Sequence, residues 1–276
     1  LIVEYAKRFG VYDDLLPVLS MSLGAGETTL FRLVAGYAML ANGGRQVKAT
    51  LIDRIQDRWG RTVWRHDQRR CDNCKSESWD NQPEPDLADD RRQIIDPHTA
   101  YQMTSIMEGV VTRGTGTRVK ELLPNFPVAG KTGTSNEEKD AWFIGYTPDL
   151  VVGVFIGYDT PKPMGKGNTG GHVAAPVFGD FMKAALGDSP PVPFRQPPGI
   201  KIVRVNLKTG LRAAANDPDA INEAFKPYEE PDDAYSVIGF SNVGQEEPAA
   251  PDAAPQDAWQ PRPAGAPPPP GNRGVW

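Results

Sequence analysis

The segment VAGKTGTSNEEKDAWFIGYTPDLVVGVFIGYD, residues 128 to 159, contains the clearest pattern of secondary structure in this chain. Three apolar runs follow one another in it, and each has the length and composition of a β-strand. The last two runs are almost continuously apolar, which is typical of strands covered on both faces, and turn-forming residues separate them. The predicted strands are residues 128 to 134, 140 to 147 and 151 to 158.

The first of these strands carries a polar group near its end, Lys131, Thr132, Gly133 and Thr134. The simplest explanation is a lysine that protects an edge strand from unwanted pairing. Here, however, a glycine leaves room for a ligand against the backbone, and two hydroxyl groups flank it. An edge strand also offers free N–H groups. We therefore interpret residues 131 to 134 as a rim that binds an anion such as a carboxylate.

Helical patterns lie on both sides of the strands. Residues 28 to 44 predict a helix that is apolar nearly all round and mostly buried, with Thr28 as N-cap and Gly43 as C-terminal glycine. Asp96 and Pro97 predict the start of a second helix, and residues 172 to 186 a closing helix. The second helix has a predicted apolar stripe of Met103, Ile106, Met107, Val110 and Val111, and ends at Gly114 and Gly116.

The strand and helix patterns together predict an α+β fold, in which helices pack on an antiparallel sheet. The composition divides the chain into three regions. Residues 1–187 hold the main strands and helices, a hairpin around Trp59-Gly60, and a charged, exposed insertion at 67–93. Residues 188–235 form an extension with a small hairpin that turns at Lys208-Thr209-Gly210. Residues 236–276 are rich in proline and alanine and are predicted to be disordered.

Charge and hydropathy exclude some classes of partner. The 276 residues carry a formal net charge of −5, which argues against nucleic acid as the main partner. No run of 18 or more apolar residues is present, so no membrane span is expected in this chain. The chain begins LIVEYAKRFG, within an amphipathic pattern and without a methionine or a signal peptide, which suggests a fragment.

Two glycine motifs could indicate a nucleotide site, but neither has the required context. Gly130-Lys131-Thr132 resembles the end of a P-loop, yet Asn125 stands where the first glycine is needed and the following residues predict a strand. Gly165, Gly167 and Gly170 match a dinucleotide fingerprint without a βαβ unit. We interpret them as a loop whose glycines allow close helix packing.

One C-x-x-C pair, Cys71 and Cys74, raises the possibility of a zinc site. A structural zinc ion needs four ligands, and only His66 lies nearby in the sequence. A disulfide or two free thiols in a surface loop is the favoured interpretation. We expect no metal and no organic cofactor.

The same segments resemble a known family, the serine penicillin-binding proteins and their β-lactamase relatives. That family has three signatures, S-x-x-K, S-D-N or more loosely S-x-N, and K-T-G, and Lys131-Thr132-Gly133 matches the third. The stretches LGAGETTLFRLVAGYAMLANGG, GVVTRGTGTRV and TGGHVAAPVFGDFM resemble the family's helices around that strand. The segments KTGLRA and EAFKPYEEP look like the C-terminal extension of class A, the bifunctional type with an upstream glycosyltransferase domain.

The resemblance implies a serine D,D-transpeptidase that cross-links peptidoglycan stem peptides ending in D-Ala-D-Ala and that β-lactams acylate. Lys131, Thr132 and Thr134 would bind the terminal carboxylate, Gly133 would let the substrate approach, and the Thr134 N–H would be one oxyanion donor. The implied location is the periplasmic side of a bacterial inner membrane, with the membrane anchor upstream.

The first two signatures are absent, because no serine begins S-x-x-K or S-x-N. In the family both precede the region matched here, so we interpret this chain as the C-terminal half of a transpeptidase domain. Its partner would be the upstream half of the same protein, and alone it is predicted to be inactive. Two alternatives remain open, a fragment of a β-lactamase-type hydrolase and a non-catalytic binding module.

Overall fold

The computed structural model of the protein describes residues 1–69, 87 and 89–231, which lie within the unit Leu1–Pro231. They form helices and antiparallel sheets, so the predicted α+β class is confirmed. The helices are α1 (Ile2–Arg8), α2 (Leu30–Ala41), α3 (Pro97–Arg113), α4 (Thr117–Leu122) and α5 (Ala175–Leu186). The strands are β1 (Arg54–Gln56), β2 (Thr62–Arg65), β3 (Ala129–Thr134), β4 (Asp140–Tyr146), β5 (Val151–Gly157), β6 (Lys201–Asn206) and β7 (Ala220–Phe225).

Strands β3, β4 and β5 form an antiparallel sheet in that order, each within one residue of its predicted bounds. Strand β4 lies in the middle and is largely buried, as its continuous apolar pattern predicts. The same prediction is wrong for β5, which is only partly covered and leaves the Phe155 side chain 43% exposed. An edge strand needs fewer neighbours, so an apolar run does not by itself show burial on both faces.

The core occupies both faces of this sheet. On one face Phe143 of β4 packs against Phe178 of α5, with ring centroids 4.8 Å apart. Side chains alternate along a strand, so Tyr146 points to the opposite face, where its hydroxyl donates to Thr104 of α3 at 2.8 Å. The Thr104 hydroxyl in turn donates to the Ala100 carbonyl at 3.0 Å. Burial raises the pKa of Tyr146, so this phenol stays neutral and the bond is kept.

Helix α3 begins and ends where the sequence predicts. Asp96 is the N-cap, since its carboxylate accepts from the Thr99 N–H at 3.0 Å, and Gly114 is the C-cap. The predicted apolar stripe is only partly right, because Met103 and Ile106 are 38% and 54% exposed. The helix lies close against its neighbours through small residues as well, and its buried positions are Ala100, Thr104, Met107, Gly109 and Val111.

Helix α2 is shorter than the predicted range of 28 to 44, and its N-cap is Thr29 rather than Thr28. The Thr29 hydroxyl accepts from the Arg32 N–H at 3.2 Å, whereas the Thr28 hydroxyl donates to a loop carbonyl at 2.6 Å. Gly43 follows the helix with a φ of +65°, which confirms it as the C-terminal glycine.

The expectation that α2 is mostly buried is wrong, because only Gly36 and Met39 of this helix are buried. One face of α2 packs on the sheet, where Val34 and Leu30 fill the space above Gly153 of β5. The described residues leave the other sides of the helix partly exposed, and the Phe31 side chain is 52% exposed.

Two smaller antiparallel pairs complete the fold. The predicted hairpin around Trp59-Gly60 is confirmed, since β1 pairs with β2 and Gly60 has a φ of +80°. The turn at Lys208-Thr209-Gly210 also exists, but the prediction of a local hairpin there is incomplete. Strand β6 pairs mainly with the later strand β7, and the segment directly after the turn forms only a single bridge.

Residues 70–86, 88 and 232–276 lie outside the described residues. They include most of the predicted insertion at 67–93, both cysteines and the tail at 236–276. The division into regions 1–187, 188–235 and 236–276 therefore stays a prediction. In the parts that the structure describes, no helix is both long and apolar enough to cross a lipid bilayer.

Candidate functional site

The four residues predicted to bind an anion lie together at the end of strand β3. This strand is an edge of the three-stranded sheet, since its one strand partner there is β4. Lys131 and Thr134 are exposed, and Thr132 and Gly133 are half-buried. The structure thus places a primary amine and two hydroxyls along one open strand edge.

Lysine 131 contacts its own strand. Its Nζ donates to the Thr132 carbonyl oxygen at 2.9 Å and lies 3.5 Å from the Thr132 hydroxyl oxygen. These bonds hold the ammonium group beside the Thr132 hydroxyl on the exposed edge. Positive charge and a hydroxyl in this arrangement suit a carboxylate, which accepts hydrogen bonds only.

The backbone of β3 also presents groups to the open edge. In an antiparallel pair, residues whose N–H and C=O groups face the partner strand alternate with residues whose groups face away. The Ser135 N–H donates to the Asp140 carbonyl at 3.0 Å, so the groups of Ser135 face β4. The alternation then directs the N–H groups of Thr134 and Thr132 away from β4. The Thr132 carbonyl fits this pattern, because Lys131 reaches it from the edge.

Gly133 lies between the two threonines on β3. It is paired with Trp142 of β4, and a Cβ at position 133 would lie 3.1 Å from the Trp142 Cβ. Across the sheet Trp142 packs against Phe155 of β5, with ring centroids 4.5 Å apart and ring planes tilted by 51°. The glycine therefore allows a large aromatic side chain to pack beside the polar group, which the sequence pattern did not indicate.

Two groups outside the motif contact its hydroxyls, and the sequence did not single them out for this role. The Thr115 hydroxyl, in the turn between α3 and α4, lies 2.6 Å from the Thr132 hydroxyl. The Gly170 N–H donates to the Thr134 hydroxyl at 3.0 Å. Gly170 opens a π-helical turn, Gly170–Ala174, that leads directly into α5. A signal was available for both, since each belongs to a glycine-rich stretch.

The close approach at Gly170 and Gly171 requires the absence of side chains. A Cβ on Gly170 would lie 2.5 Å from the Gly133 carbonyl oxygen and 2.3 Å from the Trp142 carbonyl oxygen. A Cβ on Gly171 would lie 2.5 Å from the Thr115 carbonyl oxygen. Close packing through a glycine, as predicted from the sequence, is what the structure shows at Gly170.

The connection after β3 is strained and joins the site to a second loop. Glu137 and Glu138 have φ values of +61° and +53°, which residues other than glycine rarely adopt. The Glu138 carboxylate accepts from the Gly167 N–H, and its carbonyl accepts from the Met164 N–H, both at 3.1 Å. These bonds hold the loop after β5 next to the end of β3.

Two clefts of the described region lie away from the polar group. One, of about 420 Å³, is lined by Pro191, Pro193 and Phe126 and contains Glu108 and Lys120. Burial raises the pKa of Glu108 to about 7. A second cleft, of about 350 Å³, lies between α1 and α2. Within residues 1–69 and 89–231, no cluster of three or more His, Cys, Asp or Glu side chains is placed to hold a metal ion.

Comparison with known families agrees with this geometry. The model of the penicillin-binding protein transpeptidase domain matches residues 17–183. The chain therefore belongs to the penicillin-binding protein transpeptidase family, and the predicted family is confirmed. Similar relatives are penicillin-binding protein 1A of Rickettsia bellii, 42% identical over 227 residues, and penicillin-binding protein 1A of Neisseria lactamica, 42% identical over 198 residues.

These matches cover most of this chain and a smaller part of the relatives. The Rickettsia bellii alignment covers 82% of this chain and 28% of the relative. The Neisseria lactamica alignment covers 71% of this chain and 23% of the relative. This chain thus spans about 28% of the length of the Rickettsia bellii protein.

Solved structures show the same fold. The crystal structure of penicillin-binding protein 1A from Haemophilus influenzae superposes with a TM-score of 0.67, at 23% identity, over 83% of this chain and 37% of that one. Penicillin-binding protein PonA1 from Mycobacterium tuberculosis gives a TM-score of 0.54 at 20% identity, over 70% of this chain and 51% of that one. At these identities the likeness concerns the fold alone.

Proposed function

We propose that this chain supplies the carboxylate-binding strand of a serine D,D-transpeptidase of the class A type. The observation that carries the proposal is the open edge of β3, where Lys131, Thr132 and Thr134 present an amine and two hydroxyls. The substrate would be a peptidoglycan stem peptide that ends in D-Ala-D-Ala, and its terminal carboxylate would lie along this edge. Family membership supports this choice over other anions.

Each residue has a separate role in the proposed reaction. The Lys131 ammonium and the Thr132 and Thr134 hydroxyls hold the carboxylate, because charge-assisted hydrogen bonds are stronger than neutral ones. Gly133 keeps the strand free of a side chain beside the ligand. The Thr134 N–H, which the strand alternation directs away from β4, donates to the oxyanion that forms at the scissile carbonyl.

The nucleophile would come from a part of the protein that precedes this chain. A serine in an S-x-x-K motif attacks the peptide carbonyl, D-alanine leaves, and an amine of a neighbouring stem peptide takes the acyl group. A β-lactam acylates the same serine and stays bound. The structure of PonA1 in complex with penicillin V reports such a ligand for that relative.

The proposed setting is a bifunctional, membrane-anchored enzyme on the periplasmic side of the bacterial inner membrane. Its glycosyltransferase domain and anchor would precede this chain, and the upstream half of the transpeptidase domain would pack against it. The proposal includes no cofactor and no nucleic acid.

Penicillin labelling of the longer protein that contains this chain tests the proposal. We expect Lys131→Ala to lower the second-order acylation constant about 10- to 100-fold, as for the loss of a hydrogen bond to a charged group. The matched control is Lys183→Ala, which removes an exposed lysine of α5 that makes no ion pair with the residues that the structure describes and should leave the constant unchanged. Equal constants for both variants and wild type would contradict the role of this strand.

A further inference from the structure

The direction of one hydrogen bond can be derived from the chemistry of the proposed ligand. The hydroxyls of Thr115 and Thr132 lie 2.6 Å apart, and either could donate to the other. A hydroxyl has one proton to donate and two lone pairs that accept. A carboxylate accepts only, so Thr132 must donate to it when the ligand is bound. The Thr132 proton is then committed to the ligand, and Thr115 is the donor of the pair.

The hydroxyl oxygen of the second threonine, Thr134, also accepts a hydrogen bond from the protein. A backbone N–H can only donate, and the Gly170 N–H donates to the Thr134 hydroxyl oxygen at 3.0 Å. The Thr134 proton is therefore free to point elsewhere. At both threonines a donor of the protein occupies the hydroxyl oxygen, from the turn after α3 at Thr132 and from the π-helical turn at Thr134, and the hydroxyl proton is left for the open edge.

We propose that Thr115 is a positioning residue for anion recognition. Its hydroxyl donates to Thr132 and turns the Thr132 proton toward the carboxylate, as the Gly170 N–H does for Thr134. This inference rests on the proposed function, and it assigns to the turn between α3 and α4 a part in ligand recognition that the K-T-G motif alone does not contain.

The surroundings of Thr115 hold its hydroxyl in place. The Gly116 N–H donates to the Val110 carbonyl at 2.9 Å, which closes the turn after α3. On the other side the backbone of Gly171 lies so close that a Cβ there would be 2.5 Å from the Thr115 carbonyl oxygen. The Thr115 backbone is thus fixed between α3 and the π-helical turn, which pre-orients its side chain before a ligand arrives.

The test uses the longer protein with its nucleophilic serine, and compares benzylpenicillin with its methyl ester. Thr115→Val removes the donor and keeps the shape of the side chain. We expect its acylation constant for benzylpenicillin to fall about tenfold, the effect of one hydrogen bond. The constant for the methyl ester, whose neutral carbonyl accepts only a weaker hydrogen bond, should fall clearly less. Thr115→Ser keeps a hydroxyl and should stay within about twofold of wild type for both compounds.

A double-mutant cycle distinguishes positioning from a general structural effect. If Thr115 acts through Thr132, adding Thr115→Val to Thr132→Val should cause no further loss of acylation by benzylpenicillin. Additive losses, or an equal fall for benzylpenicillin and its ester, would overturn the inference. Circular dichroism checks the fold, and Thr115→Ala serves as donor-free variant if the valine variant does not fold.

The same measurements separate this inference from the proposed function. A wild-type protein that reacts equally fast with the acid and the ester does not recognise the carboxylate, and the proposed function fails. The other outcome is that the wild type prefers the acid and that a folded Thr115→Val keeps the full preference. This result would leave the proposed function intact and would refute only the role of Thr115.

Discussion

Thr134 combines two tasks in the proposed site, and mutation can separate them. Thr134→Ala keeps the N–H and removes only the hydroxyl, so we expect a loss of about 1.5–3 kcal/mol of transition-state stabilisation in the acylation of the longer protein. Thr134→Pro removes the N–H donor and fixes φ, and loss of one oxyanion donor typically costs about 10²–10³ in rate. Strand distortion would add to that loss.

Acylation rates of wild type and both Thr134 variants, measured with a β-lactam, decide this point. Circular dichroism must show that the proline variant is folded. A folded Thr134→Pro that is acylated as fast as wild type would exclude the Thr134 N–H as an oxyanion donor.

Glu108 gives a prediction about pH. Its pKa is raised by burial from the ordinary 4.5 to about 7, although Lys120 opposes the shift. Between these values the folded protein keeps a proton that the unfolded chain releases, so stability falls as pH rises from about 4.5 to 7. We expect Glu108→Gln to be more stable than wild type at pH 8, by on the order of 1 kcal/mol since solvent screens part of the effect.

Chemical unfolding of the longer protein at pH 4.5 and pH 8 checks this expectation. The advantage of Glu108→Gln should be much smaller at the lower pH, where wild-type Glu108 is protonated in the folded state and about half protonated in the unfolded chain. The control is Glu121→Gln, which changes an exposed carboxylate of α4. A Glu108→Gln advantage that is equal at both pH values would show that the carboxyl charge is not its cause.

Single residues differ in how well the sequence predicts their place in the candidate site. Lys131 and the threonines after it could be found because the motif and its apolar surroundings are local. Thr115 was missed, because its glycine-rich stretch indicates a turn, whereas its contact with Thr132 depends on how the turn after α3 packs against β3. The N-cap of α2 was predicted as Thr28 but is Thr29 for a similar reason, because the Thr28 hydroxyl bonds to a loop carbonyl instead.

The π-helical turn before α5 is the element that fixes the end of β3. Gly170→Ala would place a Cβ 2.3–2.5 Å from two carbonyl oxygens of the sheet, so one of the backbones must move. We expect a loss of roughly 1–3 kcal/mol of stability and a slower acylation by β-lactams. Thermal unfolding of the longer protein and its acylation constant measure both effects.

Lys166→Ala is the control for this element, because it changes an exposed side chain in the neighbouring loop and should stay within about 0.5 kcal/mol of wild type. If Gly170→Ala were as stable as wild type, the turn and the sheet would not be in close contact in solution.

Whole elements were predicted where the pattern is local. Strands β3 to β5 have sharp bounds because apolar runs and turn residues coincide. Strand β7 was missed as the partner of β6, since a strand's partner depends on contacts far along the chain. The burial of α2 was overestimated for a related reason, because an apolar sequence does not show which elements pack against it.

At the scale of the molecule, the missing S-x-x-K motif gives the simplest prediction. This chain, expressed alone, should form no covalent adduct with a fluorescent penicillin, because acylation requires the serine nucleophile. Gel detection after boiling is the measurement, and the longer protein with its serine is the positive control. A stoichiometric, boil-stable label on this chain alone would contradict the interpretation that the nucleophile lies elsewhere.

The cleft at Glu108 has a consequence for inhibitor discovery. The described region has a concave, partly apolar surface between Phe126 and the prolines at 191 and 193, whereas the edge of β3 is open. A compound bound in this cleft would lie at a place that penicillin does not occupy in the proposed mechanism. Such a compound would not compete directly with β-lactams, and substitutions on β3 that weaken β-lactam binding would leave its own contacts in the cleft unchanged.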